Sequence, residues 1–512
     1  MDSSSDEEED DEPKSPARLD EHGRHRRRAG WHPKPYAGDP DGVGMEKFRY
    51  QYWKSPLWAL FNNEATKVDG TREAKEFKAQ FGVPRQIFDE LVAEASEYKE
   101  IPSHSAGDGS GIKAPTTIPI KARLAATLWQ HRGRALPRAA AFAACQEPDG
   151  LRRWQRLWTQ CVVKYDYEKW VHPPETAEEI EDILGLHAHL GFPGCIGFTD
   201  GLAVEVHNIP WSRRNGHQGK TSGAHTRNFN VSGSARRMIH YVHGSHQGSD
   251  NDKTMARYDR YHQSIKNQTR YADTKFQLYT SDGVLATHTG VYIGTDNGYH
   301  PWRMYQYPSK EASSKDDAAW SGALERARKP GSECIFGILK KRFPSLTAKW
   351  TFGKGDWDQG VLFHDNTFKT LCMVHNRIQV HSGLHTLGSL PSDWRLANRR
   401  SDITRHQQAR EEAAGLDATV GDCFQGTGDE EVQYEPGHDE LHEKLVQHHA
   451  FARKRKEVFW LREARFSRNR RDTRPMEVGH VLHCEKHVYD SEASDREEEP
   501  EVGEEDEDED EW

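Results

Sequence analysis

The chain holds 81 aspartates and glutamates, so an acid is informative only by its setting. Three have settings that suit work on a phosphate ester: Asp200, Asp296 and Glu333. Asp200 shares the alternating face of an extended run with Ile196, Phe198, Leu202 and Val204, where an ionised carboxylate without a partner is costly to bury. A turn or bulge at Gly201 would instead release it to solvent. Asp296 closes the apolar run Val291-Tyr292-Ile293 and precedes Asn297-Gly298, which puts it at a strand's carboxyl end, where sheet proteins tend to place ligands. Taken alone it is a turn residue. Glu333 opens the helical segment 332–343, whose apolar stripe runs through Ile335, Phe336, Ile338, Leu339 and Phe343, with Pro330 before it and Pro344 ending it. The helix dipole favours an acid there by about 0.3 to 1 kcal/mol, so a cap-like role is the competing reading.

Two strand-borne aspartates and one helix-borne glutamate can converge on a pair of divalent cations, and hard oxygen ligands suit Mg2+ or Mn2+. Two such ions about 3.5 to 4 Å apart activate a water or a 3'-hydroxyl on one side of a phosphodiester and stabilise the departing oxygen on the other. The carboxylates would hold metal rather than carry protons. Gly337, Lys340 and Lys341 follow Glu333 at spacings of four, seven and eight, leaving a small residue and two ammonium groups beside the acid, a surface suited to a phosphate backbone. Arg213, Arg214, His217, Lys220, His225 and Arg227 form a basic loop that reads as facing nucleic acid or as plain surface charge. His480, His483, Cys484 and His487 are spaced for one helix face, but without a second ligand pair they read as a solvated polar helix more readily than as a zinc site.

Positioning these groups falls to two textures of sequence. From residue 48 to about 184, apolar residues recur at spacings of three and four, predicting helices over 74–81, 87–95, 118–130, 136–145 and 151–163. The last three are open to two readings, a helix-turn-helix DNA reader with Arg152, Arg153 and Arg156 on its final helix, or a packing subdomain with a basic surface. From Gly191 onward, strands are predicted at 195–207, 227–235, 237–243 and 290–296, with helices at 253–267, 331–342 and 367–380. The fold class is therefore mixed α/β. Glycines at 415, 421, 426 and 428 mark a flexible stretch before helix-forming sequence resumes at 440–466. Basic density peaks at 453–474, interleaved with Phe459, Trp460 and Phe466, as a phosphate-contacting arm or as an exposed helix lying on the body.

Charge divides the chain. Its 512 residues carry a formal net charge of -11, yet residues 1–12 hold eight acids and no base, and residues 491–512 hold fourteen acids against Arg496 alone. The body between them is basic, which is compatible with a polyanionic partner. No stretch approaches the apolar length of a membrane helix, and the acidic start is the reverse of a signal peptide, so a soluble, intracellular chain is expected. Seven dispersed cysteines without a Cys-x-x-Cys pair argue against both a disulfide framework and a cysteine zinc ribbon. The run Arg24-His25-Arg26-Arg27-Arg28 reads as a nuclear-import signal or a solvated tail segment.

The sequence resembles the transposases of PIF/Harbinger type and their domesticated relatives. Three pieces carry the likeness: Gly197-Phe-Thr-Asp-Gly201, Gly294-Thr-Asp-Asn-Gly-Tyr299 and Glu333-Cys-Ile-Phe-Gly-Ile-Leu-Lys340. Supporting matches are His217-Gln-Gly-Lys220 with Asn228-Phe-Asn230, Gly248-Ser-Asp-Asn-Asp-Lys-Thr254, and Phe368-Lys-Thr-Leu-Cys-Met-Val-His-Asn376. They stand in the family's order over roughly residues 190–385, with the aspartates 96 positions apart and Glu333 37 positions beyond Asp296.

The resemblance implies a ribonuclease-H-like Asp-Asp-Glu nuclease core at 189–390 that cuts DNA, with or without strand transfer, using two divalent cations held by Asp200, Asp296 and Glu333. Around it are expected a disordered tail at 1–45, a helical domain at 46–188, a charged linker and basic helical segment at 391–490, and a disordered acidic tail at 491–512. A nuclear location, a Myb-like protein partner and a homo-oligomer belong to the same expectation. A non-catalytic DNA-binding or scaffold protein retaining this fold is the alternative. A metal-dependent hydrolase of small phosphate esters fits least, because length and basic surface exceed what a small substrate needs.

Overall fold

The computed structural model describes residues 55–101, 118–133, 135–219, 223–351, 357–385, 434–435, 437–455 and 457–458. Both expected tails, the basic run at 24–28, Lys220, most of the expected linker, the greater part of the basic peak and the cluster at 480–487 lie outside the described residues.

Helices fill the first part of the chain: α1 Pro56–Asn62, α2 Arg72–Phe81, α3 Arg85–Glu97, α4 Ile120–Gly133, α5 Pro137–Ala143, α6 Pro148–Tyr165, α7 Tyr167–Trp170 and α8 Ala177–His189. Local chemistry sets their ends. Thr71 caps α2 by accepting from the Ala74 amide, and Gly82 closes it in the left-handed region at φ 76°. Thr176 and Glu179 form a reciprocal capping box at the start of α8. On α6, Leu151, Trp154, Trp158, Cys161 and Val162 are buried, while Arg152, Arg153 and Arg156 are exposed on the opposite side.

The sheet is mixed, as expected. Strand β1, Cys195–His207, pairs antiparallel with β2, Thr226–Gly233, which pairs antiparallel with β3, Ile239–Gln247. A separate hairpin of β4, Lys275–Tyr279, and β5, Leu285–Thr289, follows. The short strands β6, Tyr292–Gly294, and β7, Tyr305–Gln306, extend the main sheet in parallel, giving the order β3-β2-β1-β6-β7. At the far end of β1, β8, Trp350–Thr351, pairs parallel with Val206 and His207. The remaining helices are α9 Asp252–Tyr258, α10 Arg260–Lys266, α11 Lys315–Gly331, α12 Glu333–Arg342, α13 Trp357–His381 and α14 Gly437–Lys454.

Several expectations need correction. The single helix expected over 253–267 is two, because the Asp259 carboxylate accepts from the Tyr261 and His262 amides and starts a new helix at Arg260. The β4–β5 hairpin and α11 were not predicted. The helix expected at 367–380 begins ten residues earlier, at Trp357. No helix among the described residues is long and apolar enough to cross a membrane. Nor does the core respect the expected boundary near 188: one cluster joins Phe77, Phe88, Leu124 and Trp158 to Leu202, Val204, Phe229, Ile335, Leu339, Phe368 and Met373. The N-terminal helices thus share the sheet's core.

The junction between α11 and α12 is pressed onto the sheet at Phe198. A Cβ added at Gly331 would stand 2.5 Å from the Phe198 ring and 3.0 Å from its Cβ, and one added at Gly294 would stand 2.6 Å from the other side of that ring. Phe198 is fully buried between two positions that tolerate no side chain. This contact fixes where α12 begins and therefore where Glu333 stands. Gly331→Ala is expected to destabilise the chain by about 1 to 3 kcal/mol through overpacking, read as a lower urea midpoint at unchanged slope; an unaltered midpoint would show that the junction yields freely.

Candidate active site

Asp200 lies at the middle of β1, paired in uninterrupted register with Val231, so no bulge at Gly201 releases it. Its neighbours on the same face, Phe198, Leu202 and Val204, are buried, and its side chain is 20% exposed. The partner that such burial demands is Arg328 of α11. Nη1 of Arg328 donates to Asp200 Oδ2 at 3.0 Å, and Nη2 donates to Glu333 Oε1 at 3.1 Å. Nε and Nη2 also donate to Glu325, at 3.3 and 3.1 Å. One guanidinium, itself 7% exposed, therefore joins two acids that lie 133 residues apart in the chain.

Asp296 stands in the loop after β6, where the Gly298 amide donates to its Oδ1 at 2.8 Å. A fourth acid, Asp252, opens α9 directly after the capping residue Asn251. A Cβ at Gly298 would lie 2.6 Å from Asp252 Oδ2 and 2.9 Å from Asp296 Oδ1, while one at Gly201 would lie 3.1 Å from Asp252 Oδ1. Lacking side chains, Gly201 and Gly298 let the Asp252 carboxylate sit between β1 and the Asp296 loop. In the sequence Asp252 lies inside the motif Gly248–Thr254 with nothing to mark a role, since a first-turn acid after Asn carries no signal of what lies across from it.

Burial pushes the Asp200 carboxyl up to about 7; the Arg328 charge opposes that rise, and the negative charges of Asp296 and Asp252 add to it. On Arg328, burial works against the charge, but Glu325, Asp200 and Glu333 outweigh it and hold the guanidinium above its ordinary range.

Behind the acids lies a buried polar network. Tyr299 Oη donates to Asn230 Oδ1 at 2.7 Å, and Asn230 Nδ2 donates to Asp259 Oδ2 at 2.7 Å. His262 meets Ser232 Oγ at 3.1 Å and Tyr305 Oη at 2.8 Å, and Ser232 meets Thr199 Oγ1 at 2.6 Å. It ties β1, β2, β7, α10 and the loop after β6 together immediately behind Asp200 and Asp296.

The expected basic loop divides. Arg213 and Arg214 are exposed on short turns after β1, beside Trp211, which is 82% exposed with the Arg214 guanidinium 5.0 Å from its ring centre. His217 and Arg227 are instead buried and structural: Arg227 Nε donates to Ser245 Oγ at 2.7 Å, its Nη1 meets His217 Nε2 at 3.3 Å, and His217 Nδ1 meets the Arg213 carbonyl at 2.9 Å. On α12, Lys341 is exposed and Lys340 half-buried, which lowers its ammonium's pKa; Gly337 is exposed, with nothing within 4 Å of a Cβ placed there. Of the described cysteines, Cys145, Cys161, Cys195, Cys334 and Cys372 are all free thiols.

Asp200, Asp252, Asp296 and Glu333 are all hard oxygen donors, a set that fits Mg2+ or Mn2+. Asp252 and Asp296 already crowd one edge at Gly298. Among the described residues, however, no three Asp, Glu, His or Cys side chains converge as one metal-holding group. Of the expected triad, Asp200 and Glu333 meet on the Arg328 guanidinium, and Asp296 is near enough for its charge to act on Asp200. A groove of about 1160 Å³ lies elsewhere, between α8 and the segment 268–277, and none of the four acids lines it.

Because the Asp200 carboxyl is raised above its unfolded value, its contribution to stability is full below about pH 4 and is lost as pH rises through about 7. With chelator present, the stability of wild type relative to Asp200→Asn is therefore expected to fall between pH 5 and pH 8 in urea titrations. A constant or rising difference would mean that Arg328 holds the acid ionised throughout. No family model, no curated protein and no solved structure matches the chain.

Proposed function

We propose that the chain is a divalent-metal-dependent DNA endonuclease of the transposase type, acting in the nucleus, with the mixed sheet as a ribonuclease-H-like core. The observation that supports this reading is that one guanidinium joins Asp200 of the central strand to Glu333 at a helix start, while the charge of Asp296, in the loop after β6, acts on Asp200. Asp200, Asp296 and Glu333 would hold the cations, with Asp252 beside them. The bound cations would supply an activated water or 3'-hydroxyl and stabilise the departing oxygen.

The chain's own residues orient the substrate. Arg213, Arg214 and Lys341 offer exposed positive charge toward the His207 end of β1, and α12 runs from Glu333 in that direction, toward β8. Gly337 leaves the exposed face of α12 open between the acid and the lysines, room for a sugar-phosphate backbone to approach. A Myb-like partner and self-association are further parts of this proposal, carried by the resemblance alone.

Nicking of supercoiled plasmid in Mg2+ or Mn2+ is expected from wild type and is expected to fall by at least about a hundredfold in Asp296→Asn, as for a lost transition-state contact. Undiminished cleavage by the variant would reject the assignment. Binding should weaken steeply across a salt series, as for several phosphate contacts; a flat response would exclude DNA. Gly337→Leu is expected to leave the fold intact and to weaken duplex binding in the same assay, and unchanged affinity would remove α12 from the interface.

One observation favours a second reading. Arg328 already compensates Asp200 and Glu333, so those two acids have a counter-charge without metal, as a non-catalytic DNA-binding scaffold requires. That protein would bind DNA with the same salt dependence and never nick it.

A further inference from the structure

We infer that Arg328 is a resident counter-cation whose side chain must swing off Asp200 and Glu333 before those two acids can hold a divalent cation. The inference rests on the nuclease reading and adds a gate to it. The oxygens that Arg328 engages, Asp200 Oδ2 and Glu333 Oε1, belong to the acids a cation would use. A hard cation coordinates carboxylate oxygen at about 2.0 to 2.2 Å, and a guanidinium donating to the same oxygens brings a positive charge against it. Because Asp200 Oδ1 already accepts from the Gly201 amide at 2.8 Å, a cation would take the Oδ2 that Arg328 engages, and the two occupancies compete.

The fold provides for release without unfolding. Glu325, one turn back on α11 and 37% exposed, takes two contacts from the same guanidinium and can keep it when the other two are surrendered. The backbone at Arg328 stays fixed, because its carbonyl accepts from both the amide and the hydroxyl of Ser332, at 3.0 and 3.1 Å, and Gly331 is pinned against Phe198. What moves is a side chain, from a three-acid fork to one acid near the surface. Metal affinity in the wild type is then the intrinsic affinity reduced by the fraction of molecules in which Arg328 has left.

Mn2+ binding to the full chain, measured by calorimetry without DNA, tests this apart from activity. Arg328→Gln is expected to bind Mn2+ at least about tenfold more tightly than wild type. Arg328→Lys, which keeps the charge but cannot fork between two carboxylates, is expected to fall between them and decides the matter if the glutamine variant does not fold by circular dichroism. Adding Asp200→Asn to either variant should abolish the gain. A purely structural arginine would give the opposite sign, since losing it would disorder the acids and weaken binding. Equal or weaker binding by the variants, or a gain that survives Asp200→Asn, overturns the gate and leaves the nuclease reading standing; absence of Mn2+ binding in every chain rejects both.

Discussion

A carboxylate placed on the apolar face of a central strand must be answered by a positive charge, and much of this molecule is arranged around that requirement. Asp200 is answered by Arg328, and Arg328 can reach it only because α11 and α12 meet directly over β1. The same guanidinium takes Glu333, so a single electrostatic demand links the first strand of the sheet to the start of a helix. Removing one member of such a set leaves a charge buried without compensation, which is why its members depend on one another more than on their other neighbours.

Packing and electrostatics cooperate at this point. Phe198 occupies the space left by Gly294 and Gly331, bringing helix and sheet backbones closer than any side chain at those positions would allow. Gly201 and Gly298 do the corresponding work for Asp252 and Asp296. Asp252 and Asp296 meet where Gly298 has no side chain, and the buried network through Asn230, His262, Tyr299 and Tyr305 holds the backbone behind them.

The N-terminal helices have a place in this logic. Their apolar faces complete the core beneath β1, β2 and α13, so they support the strand that carries Asp200. The exposed arginines of α6 face away from that core, Arg152 beside Asp149 at 3.5 Å and Arg156 over the Phe363 ring.

Much of the local structure was legible in the sequence. The bounds of β1 at Cys195 and His207 match the expected run, and Leu202 and Val204 keep its alternation because side chains on a strand repeat every two residues; Ile196, expected on the same face as Phe198, instead packs with Ile293 and Tyr299, beside a register shift between Cys195 and Gly197. The stripe from Ile335 to Phe343 likewise determined α12 with Glu333 in its first turn. Short strands such as β7, with two residues, are set by pairing rather than pattern and left no signal. Which basic residues face outward was not legible either: Arg213 and Arg227 look alike in sequence, but a contact with Ser245, on a neighbouring strand, buries the second. Nor could any spacing show that Arg328 would stand between Asp200 and Glu333, or that Asp252 would cross to Gly298. Periodicity reports which face of an element is apolar, and that the sequence determined by itself; which charges meet across elements depends on how closely their backbones approach, and only the tertiary structure decided that.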